Sequence, residues 1–470
     1  MNLVWERFTL SYLPLKQYLA TSYLHRSFVG LLCSWRQTSI LIQWGDILAV
    51  ILLSIVYGVA PFVPDNTTLV GLLLAACAGF WLILTLSDDA LPRNVPAVTP
   101  IHLLVLLYWA VAIVATALSP VKKAAFGDLV TLTLYLPLFP LAARVLRSTR
   151  LRAWLITFYL HISLIVSIYG IRQWFFGAQQ LATWVDPESS LSKITRVYSY
   201  LHNPNLLAGY LMSAVILSLV AIFAWQGRFK KALAITMLVV NGSCLILTFS
   251  RGAWIGLLIA VLALLAMLHY WWSQQMPLFW RTWFIWIILG SLGGLLLVGI
   301  VFSETLRERI FSIFADRSDS SNNFRKNVWA GVFKMISDYP LTGIGPGHNS
   351  FNQIYPFYLV LPSYTALSAY SIFLEITAET GLIGLASFVW LIVVTFNTGL
   401  VELRRLRESR SVEGFWLIGA IASLVGMLSH NLFDTVWFRP SVNTVWWLMV
   451  ALVASYYTPR QQEQSSTMNS

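Results

Sequence analysis

Charged side chains are scarce in this chain. Asp, Glu, Lys and Arg make up 11% of it, against roughly 25% in a soluble domain, and water could not solvate so apolar a surface. Cysteine is rarer still. Cys33, Cys77 and Cys244 stand apart with no paired spacing, which excludes a disulfide framework or a thiolate metal centre. Acidic residues number 20 against 31 Lys and Arg, a net charge of +11. Most of the basic residues sit in short loops between apolar runs, so the excess reads as membrane orientation, and no nucleic-acid partner is expected. The first 45 residues are mixed and basic, without the compact apolar stretch and small-residue site of a cleavable signal peptide.

Apolar residues are abundant, at 57% with a mean hydropathy of +0.70. The 21 Trp and 19 Tyr suit a protein with many membrane–water interfaces. A spanning helix needs roughly 17–25 mostly apolar residues, because the backbone must satisfy its own hydrogen bonds in hydrocarbon. Such runs fall near 46–63, 68–87, 101–119, 125–143, 153–176, 205–225, 232–250, 253–272, 282–302, 376–398, 415–430 and 442–457. The expected fold is all-α, a polytopic transmembrane bundle of about twelve helices. Pro137 and Pro140 are expected to kink or shorten the fourth.

The charges fit that count. Arg7, Lys16, Arg26 and Arg36, then Arg144, Arg147, Arg150 and Arg152, then Arg228, Lys230 and Lys231, then Arg404, Arg405, Arg407 and Arg410 fall in alternate loops. They place both termini in the cytoplasm, with Lys122 and Lys123 as the main exception. The expected organisation is a cytoplasmic N-terminal segment over 1–45, nine spans over 46–302, and a large external loop over 303–375. Three more spans follow over 376–457, then a disordered cytoplasmic tail over 458–470. The large loop has amphipathic pieces at Thr305–Phe314 and Asn327–Ile336 and a turn-rich run at 340–351; a smaller external loop runs from about Gly177 to Asn203. Long ordered loops usually carry function. The expected location is the cytoplasmic membrane, with the large loop on the periplasmic side.

Three cations share the outer side in this topology. Arg251 lies between two apolar runs, in Ser250–Arg251–Gly252. It reads either as a helix-end side chain reaching interfacial water or as a clamp for phosphate or carboxylate. Gly252 beside it would let a ligand or another backbone come close. Arg325, in Phe324–Arg325–Lys326–Asn327–Val328–Trp329, is either a solvated helix face or a second clamp. Arg196 precedes Asn203–Pro204–Asn205, a turn that opens the next helix.

The run Pro340–Leu341–Thr342–Gly343–Ile344–Gly345–Pro346–Gly347–His348 lacks dinucleotide or P-loop spacing. Its three glycines suit an anion nest or, equally, a tight turn between helices. Candidate bases are His348, His430 and Tyr370. Glu375 and Glu379 are four apart, so they share a helical face, where one is expected to pair with an external arginine. Asp434 follows His430 closely enough to orient it.

Taken in order, Ser250–Arg251–Gly252, Arg325 with Trp329, Pro340 with Gly343–Ile344–Gly345, and Gly381–Leu382–Ile383–Gly384 surround one external loop. Over about residues 195–435 this set resembles the O-antigen ligase and polymerase superfamily of bacterial envelope glycan assembly. Leu367–Ser368–Ala369–Tyr370–Ser371–Ile372–Phe373–Leu374–Glu375 is most similar to its cyanobacterial group named inorganic carbon transporter B, the bicarbonate transporters. The superfamily resemblance implies an external cavity in which arginines hold the diphosphate of a polyprenyl-linked glycan, and a His that activates the acceptor hydroxyl. Arg251 and Arg325 match diphosphate positions. The His position is filled by Tyr370, a phenol mostly protonated at neutral pH. Three functions follow as alternatives: a metal-independent glycosyltransferase acting on a lipid-linked glycan, a carrier of a small anion such as bicarbonate, or a non-catalytic membrane partner. No metal or cofactor is expected in any of them.

Overall fold

The computed structural model describes residues 3–63, 67–88, 98–178, 195–302, 304, 307, 308, 310, 311, 320–362 and 365–459. The expected helix at Thr305–Phe314, most of the loop between Gly177 and Asn203, and most of the tail fall outside these residues. Among the described residues the chain is helical, with no strand. Among the described residues nine helices are long and apolar enough to cross a membrane, and Gly45–Val59, Leu278–Ser291 and Pro440–Ser455 are shorter apolar helices. The protein is a multi-pass helical membrane protein. Each of the twelve apolar runs expected from sequence falls on one of these helices. The fourth run is broken at its proline, as Lys122–Tyr135 and Leu138–Val145 with Pro137 between them. Pro lacks the N–H that would continue the ladder.

Helices Pro204–Ala224, Glu413–His430 and Pro440–Ser455 form the centre, with nearly every residue buried. Arg251–Trp272 lies along Glu413–His430 through a stripe of small residues, Gly252, Gly256 and Ala260. A Cβ on Gly256 would sit 2.7 Å from the Gly426 carbonyl, and one on Gly426 would sit 2.8 Å from the Ala260 Cβ. In lipid no hydrophobic force drives helices together, so this close backbone approach is what holds the pair. Gly252 makes the same approach, since its Cβ would meet His430 Cδ2 at 3.2 Å. Its smallness admits a neighbouring helix.

One end of the bundle is tied by ion pairs. Arg144 Nε donates to Asp46 Oδ1 (2.7 Å), Arg144 and Arg36 both meet Asp88, Arg152 meets Glu413, and Arg405 Nε donates to Glu402 Oε2 (2.6 Å). The N-terminal helix Leu3–Phe8 docks against the long helix Ile372–Glu408. Trp5 Nε1 donates to Asn397 Oδ1 (2.9 Å), and Trp390 Nε1 donates to the Phe8 carbonyl (2.7 Å). At the other end, helices Ser320–Asp338 and His348–Ile354 fold onto the bundle around a second apolar cluster of Val328, Val332, Met335, Ile344 and Phe351. Asn327–Ile336 is part of the first of these helices.

Candidate functional site

Two motifs that look separate in sequence are one interlocked structure. The long helix loses its helical geometry at Gly381 (φ 68°, ψ −172°), a conformation that L side chains avoid. The Pro340–Gly347 loop lies on this break. Ile344 N–H donates to the Ala378 carbonyl (2.9 Å), Gly345 N–H to the Glu379 carbonyl (2.9 Å), and Leu382 N–H to the Pro340 carbonyl (2.8 Å). A Cβ on Gly381 would stand 2.1 Å from the Leu341 carbonyl oxygen, and one on Gly343 2.4 Å from that of Glu379. Gly384 stands one turn further, against Thr380. These glycines let two backbones touch. Of the two readings the sequence left open, the loop answers to the turn. Its N–H groups are engaged by the long helix, and the anion it meets is the chain's own Asp128. That carboxylate accepts from Asn349 N–H (2.8 Å), Ser350 N–H (3.1 Å) and Asn349 Nδ2 (2.7 Å).

The broken helix presents its first turn to the arginines. Trp329 Nε1 donates to the Ala369 carbonyl (2.9 Å), Ala369 N–H donates to Glu375 Oε2 (2.6 Å), and Ile372 N–H donates to the Asn431 carbonyl (2.9 Å). Held from three sides, Tyr370 adopts φ 51°. A non-glycine residue there costs about 1–3 kcal/mol, and such residues cluster at functional sites. Its ring meets Phe324 edge-on at 5.6 Å. Burial, with Asp434 and Glu375 adding to it against Arg325, pushes the phenol up to about 12. It stays protonated at any physiological pH.

Arg196 and Arg325 gather around Asp434. Arg196 Nε donates to the Thr248 carbonyl (2.9 Å) and its Nη2 to Asn205 Oδ1 (2.9 Å). Asn205 Nδ2 donates to Asp434 Oδ2 (2.6 Å), and Arg325 Nη2 lies 3.8 Å from the same oxygen. Asn205 is placed by its helix start, where the Asn203 side chain caps Asn205 N–H (2.8 Å) and Leu206 N–H (3.3 Å) ahead of Pro204. Arg251, 8% exposed, opens helix Arg251–Trp272, where the positive end of the helix dipole adds to its charge. Burial lowers Arg196 to about 10; Asp434 opposes this, while Arg325 and Arg251 push the same way by like-charge repulsion. Arg196 and Arg325 share Asp434, and Arg251 is close enough to Arg196 to repel it.

The other expected residues lie elsewhere. The carboxylate beside Arg325 is Asp434, whereas Glu375 caps the Ala369 N–H. Asp434 does not orient His430, since its oxygens take Asn205, Arg325 and the Thr435 N–H (2.9 Å). His430 is fully buried, packed against Gly209, Gly252 and Gly256, and neither ring nitrogen has a hydrogen-bond partner. His348 stacks on Phe438 at 5.6 Å, and burial and Arg439 lower its pKa against the Leu367 backbone, so it is neutral at pH 7. It lines a cavity of about 570 Å³ together with Glu375, Glu379, Asp128 and Arg439. Asn205, Asp434 and this cavity escaped sequence reasoning. Their members are far apart along the chain, and individually they carry no signal.

With this geometry in place, known proteins can be compared. Residues 236–389 match the family model described as O-antigen ligase. Over that third of the chain it is similar to the O-antigen ligases. The matched stretch holds Arg251, Arg325, the glycine loop, Tyr370 and the Gly381 break; Arg196, His430 and Asp434 lie outside it. A search of curated proteins gives no match.

Proposed function

We propose that Arg196, Arg251 and Arg325 bind the diphosphate of a polyprenyl-linked glycan, at the outer face of the cytoplasmic membrane with both termini inside. The supporting observation is that Arg325 and Arg196 meet at Asp434 while Arg251 stands near enough to Arg196 to repel it, so three guanidinium groups lie within reach of one doubly charged diphosphate. A guanidinium fork matches phosphate oxygens in pairs. An isoprenoid tail is at home among the surrounding apolar helices.

In a transfer reaction the diphosphate is the leaving group, so the same arginines stabilise the charge that develops on it as the glycosidic bond breaks. The acceptor hydroxyl must also lose a proton, and Tyr370 at about 12 does not take it at neutral pH. Diphosphate binding is the primary function on this reading, and any transfer is independent of the phenol. The carrier reading draws on the neighbouring cavity, which is lined by Arg439 and His348 as well as by Asp128, Glu375 and Glu379.

The test uses full-length protein in lipid nanodiscs and titrates undecaprenyl diphosphate against undecaprenyl monophosphate. A charge-assisted hydrogen bond contributes about 1.5–3 kcal/mol, so Arg251→Ala and Arg325→Ala should each weaken the diphosphate by about 10–100-fold. Equal affinity for parent and variants removes the clamp. Bicarbonate flux into proteoliposomes holding this protein alone would favour the carrier instead.

A further inference from the structure

The N-terminal residues carry apolar surface that the bundle leaves uncovered. Tyr12, Tyr18, Tyr23, Phe28, Ile40 and Trp44 are exposed, Tyr23 at 83% and Ile40 at 72%. They belong to, or flank, the helices Leu15–Thr21, Tyr23–Phe28 and Ile40–Gln43, each far short of the roughly 17–25 residues that cross a bilayer. Aromatic rings with polar tips settle where hydrocarbon meets water.

Two attachments fix the level of this segment. Gly30 N–H and Leu32 N–H both donate to the Leu86 carbonyl (3.0 and 2.9 Å), and Arg36 meets Asp88, so its far end is tied where the spanning helix Thr67–Ser87 reaches the ion-paired end of the bundle. Its near end goes deeper. Asn397, on the long helix, has both sides of its amide engaged, since Trp5 Nε1 donates to its Oδ1 (2.9 Å) and its Nδ2 donates to Ser11 Oγ (3.0 Å). Asn397 lies eight residues before Arg405, about 12 Å along the helix from the ion-paired end. Trp390, about two turns further in, donates to the Phe8 carbonyl and stacks on the Phe8 ring at 6.0 Å. At that depth the surroundings are hydrocarbon, where polar groups must be satisfied within the chain. Thr9 obeys this: 1% exposed, it donates to the Trp5 carbonyl (2.8 Å). Arg7 is exposed, and its long stem carries the charge towards headgroups.

We propose that residues 3–44 are a membrane-bound part of the protein, in place of the cytoplasmic segment expected from sequence. Residues 3–11 dip into hydrocarbon against the long helix, and 12–44 lie along the headgroup boundary of the leaflet at the ion-paired end. The partner of the exposed rings is anionic lipid. Residues 1–44 hold Arg7, Lys16, Arg26 and Arg36 against Glu6 alone, an excess that attracts acidic headgroups and sets two copies of the segment against each other. The exposed surface also continues that of the spanning helices, whose outward residues such as Leu106 and Val114 already face lipid. This inference stands apart from the diphosphate site, which lies at the opposite end of the bundle.

The experiment is spin labelling of the full-length protein in nanodiscs of phosphatidylethanolamine and phosphatidylglycerol. Cys77 and Cys244 are fully buried, so Cys33→Ser clears the background. Single labels go on Val4→Cys, Tyr23→Cys and Ile40→Cys, all exposed positions. Leu106→Cys on the spanning helix Pro100–Leu118 serves as the lipid control, and Glu408→Cys, exposed beyond the ion-paired end, as the water control. Oxygen collects in hydrocarbon and a nickel chelate stays in water, so their relative access reads depth. Val4→Cys should match Leu106→Cys, and the labels at 23 and 40 should meet nickel about threefold less than Glu408→Cys or lower still. Nickel access at 23 and 40 equal to that at 408 would overturn the proposal. So would exclusion of both reagents with spin–spin broadening, which marks a second copy as the cover. The unmodified protein gives an independent measurement, in which phosphatidylglycerol with a diazirine near the head of its acyl chain should label peptides from 12–44 on irradiation. Labelling of Pro100–Leu118 without that segment would overturn the proposal as well.

Discussion

Replacing Gly343 by Ala tests whether the glycine loop and the broken helix are one lock. The new Cβ would lie 2.4 Å from the Glu379 carbonyl carbon and oxygen and 2.6 Å from the Ala378 oxygen. All three are backbone atoms, so nothing can rotate away. The residue sits at φ 67°, which by itself costs an alanine about 1–2 kcal/mol. Moving the loop back to relieve the contact would break the bonds from Ile344 and Gly345 to the long helix, each worth about 0.5–1.5 kcal/mol. The total is about 2–5 kcal/mol. Gly227 supplies the control, because its φ is 91° and a Cβ there would meet nothing within 4 Å. Gly227→Ala should therefore cost about 1–2 kcal/mol only. Both variants would be compared by thermal unfolding and limited proteolysis in nanodiscs, with undecaprenyl diphosphate binding as a second readout. Gly343→Ala should be the less stable and should also lose ligand affinity, since the loop positions the turn that carries Tyr370. Equal destabilisation of the two variants would refute the lock.

Two further outcomes follow from the titrating groups. Burial and its arginine neighbours disfavour the charge on Arg196, yet a guanidinium stays protonated in proteins, so affinity for a glycan diphosphate should be level from about pH 7 to 10 and fall about tenfold in Arg196→Gln. A glycan diester is the ligand to use, because its own charge does not change there; an Arg196→Gln variant that binds as tightly as the parent would show that Arg196 takes no part. Tyr370, raised to about 12, should be replaceable by Phe with less than about a twofold change in any transfer rate. Tyr370→His places a group of pKa near 6.5 at the same point and should raise that rate about tenfold or more; a dead Tyr370→Phe would show that the phenol acts.

Much of the architecture was legible because hydrocarbon imposes a single rule, that each crossing satisfies its own backbone. Apolar run length therefore located the helices, and Pro137 located the break in the fourth. Charge partners were less legible. Glu375 sits one helical turn from Glu379, so a solvent-facing acid pairing with an arginine was the natural expectation. In the structure it caps the Ala369 N–H, a bond that exists only because Tyr370 turns the chain through a left-handed conformation. Asp434 looked like the partner of His430, four residues away, and serves Asn205 and Arg325 instead, 229 and 109 positions off in sequence.

The two ends of the bundle handle arginine differently, and that contrast is the strongest ground for reading one end as a binding site. At the end tied by Asp46 and Asp88, Arg144 and Arg36 meet two carboxylates, Arg152 meets Glu413, and Arg405 meets Glu402. At the opposite end Arg196 has Arg251 and Arg325 for like-charged neighbours, with Asp434 opposing them. Gathering like charges with partial burial destabilises the fold, and nothing in helix packing requires it, since Arg196 could be replaced by Gln without disturbing the Asn203 cap. A protein that retains such an imbalance recovers the lost stability whenever an anion binds the native state. Undecaprenyl diphosphate should thus raise the unfolding temperature of the parent protein and do so far less for Arg196→Gln. If the variant without ligand is no more stable than the parent, the charge imbalance was never a cost, and the inference from it fails.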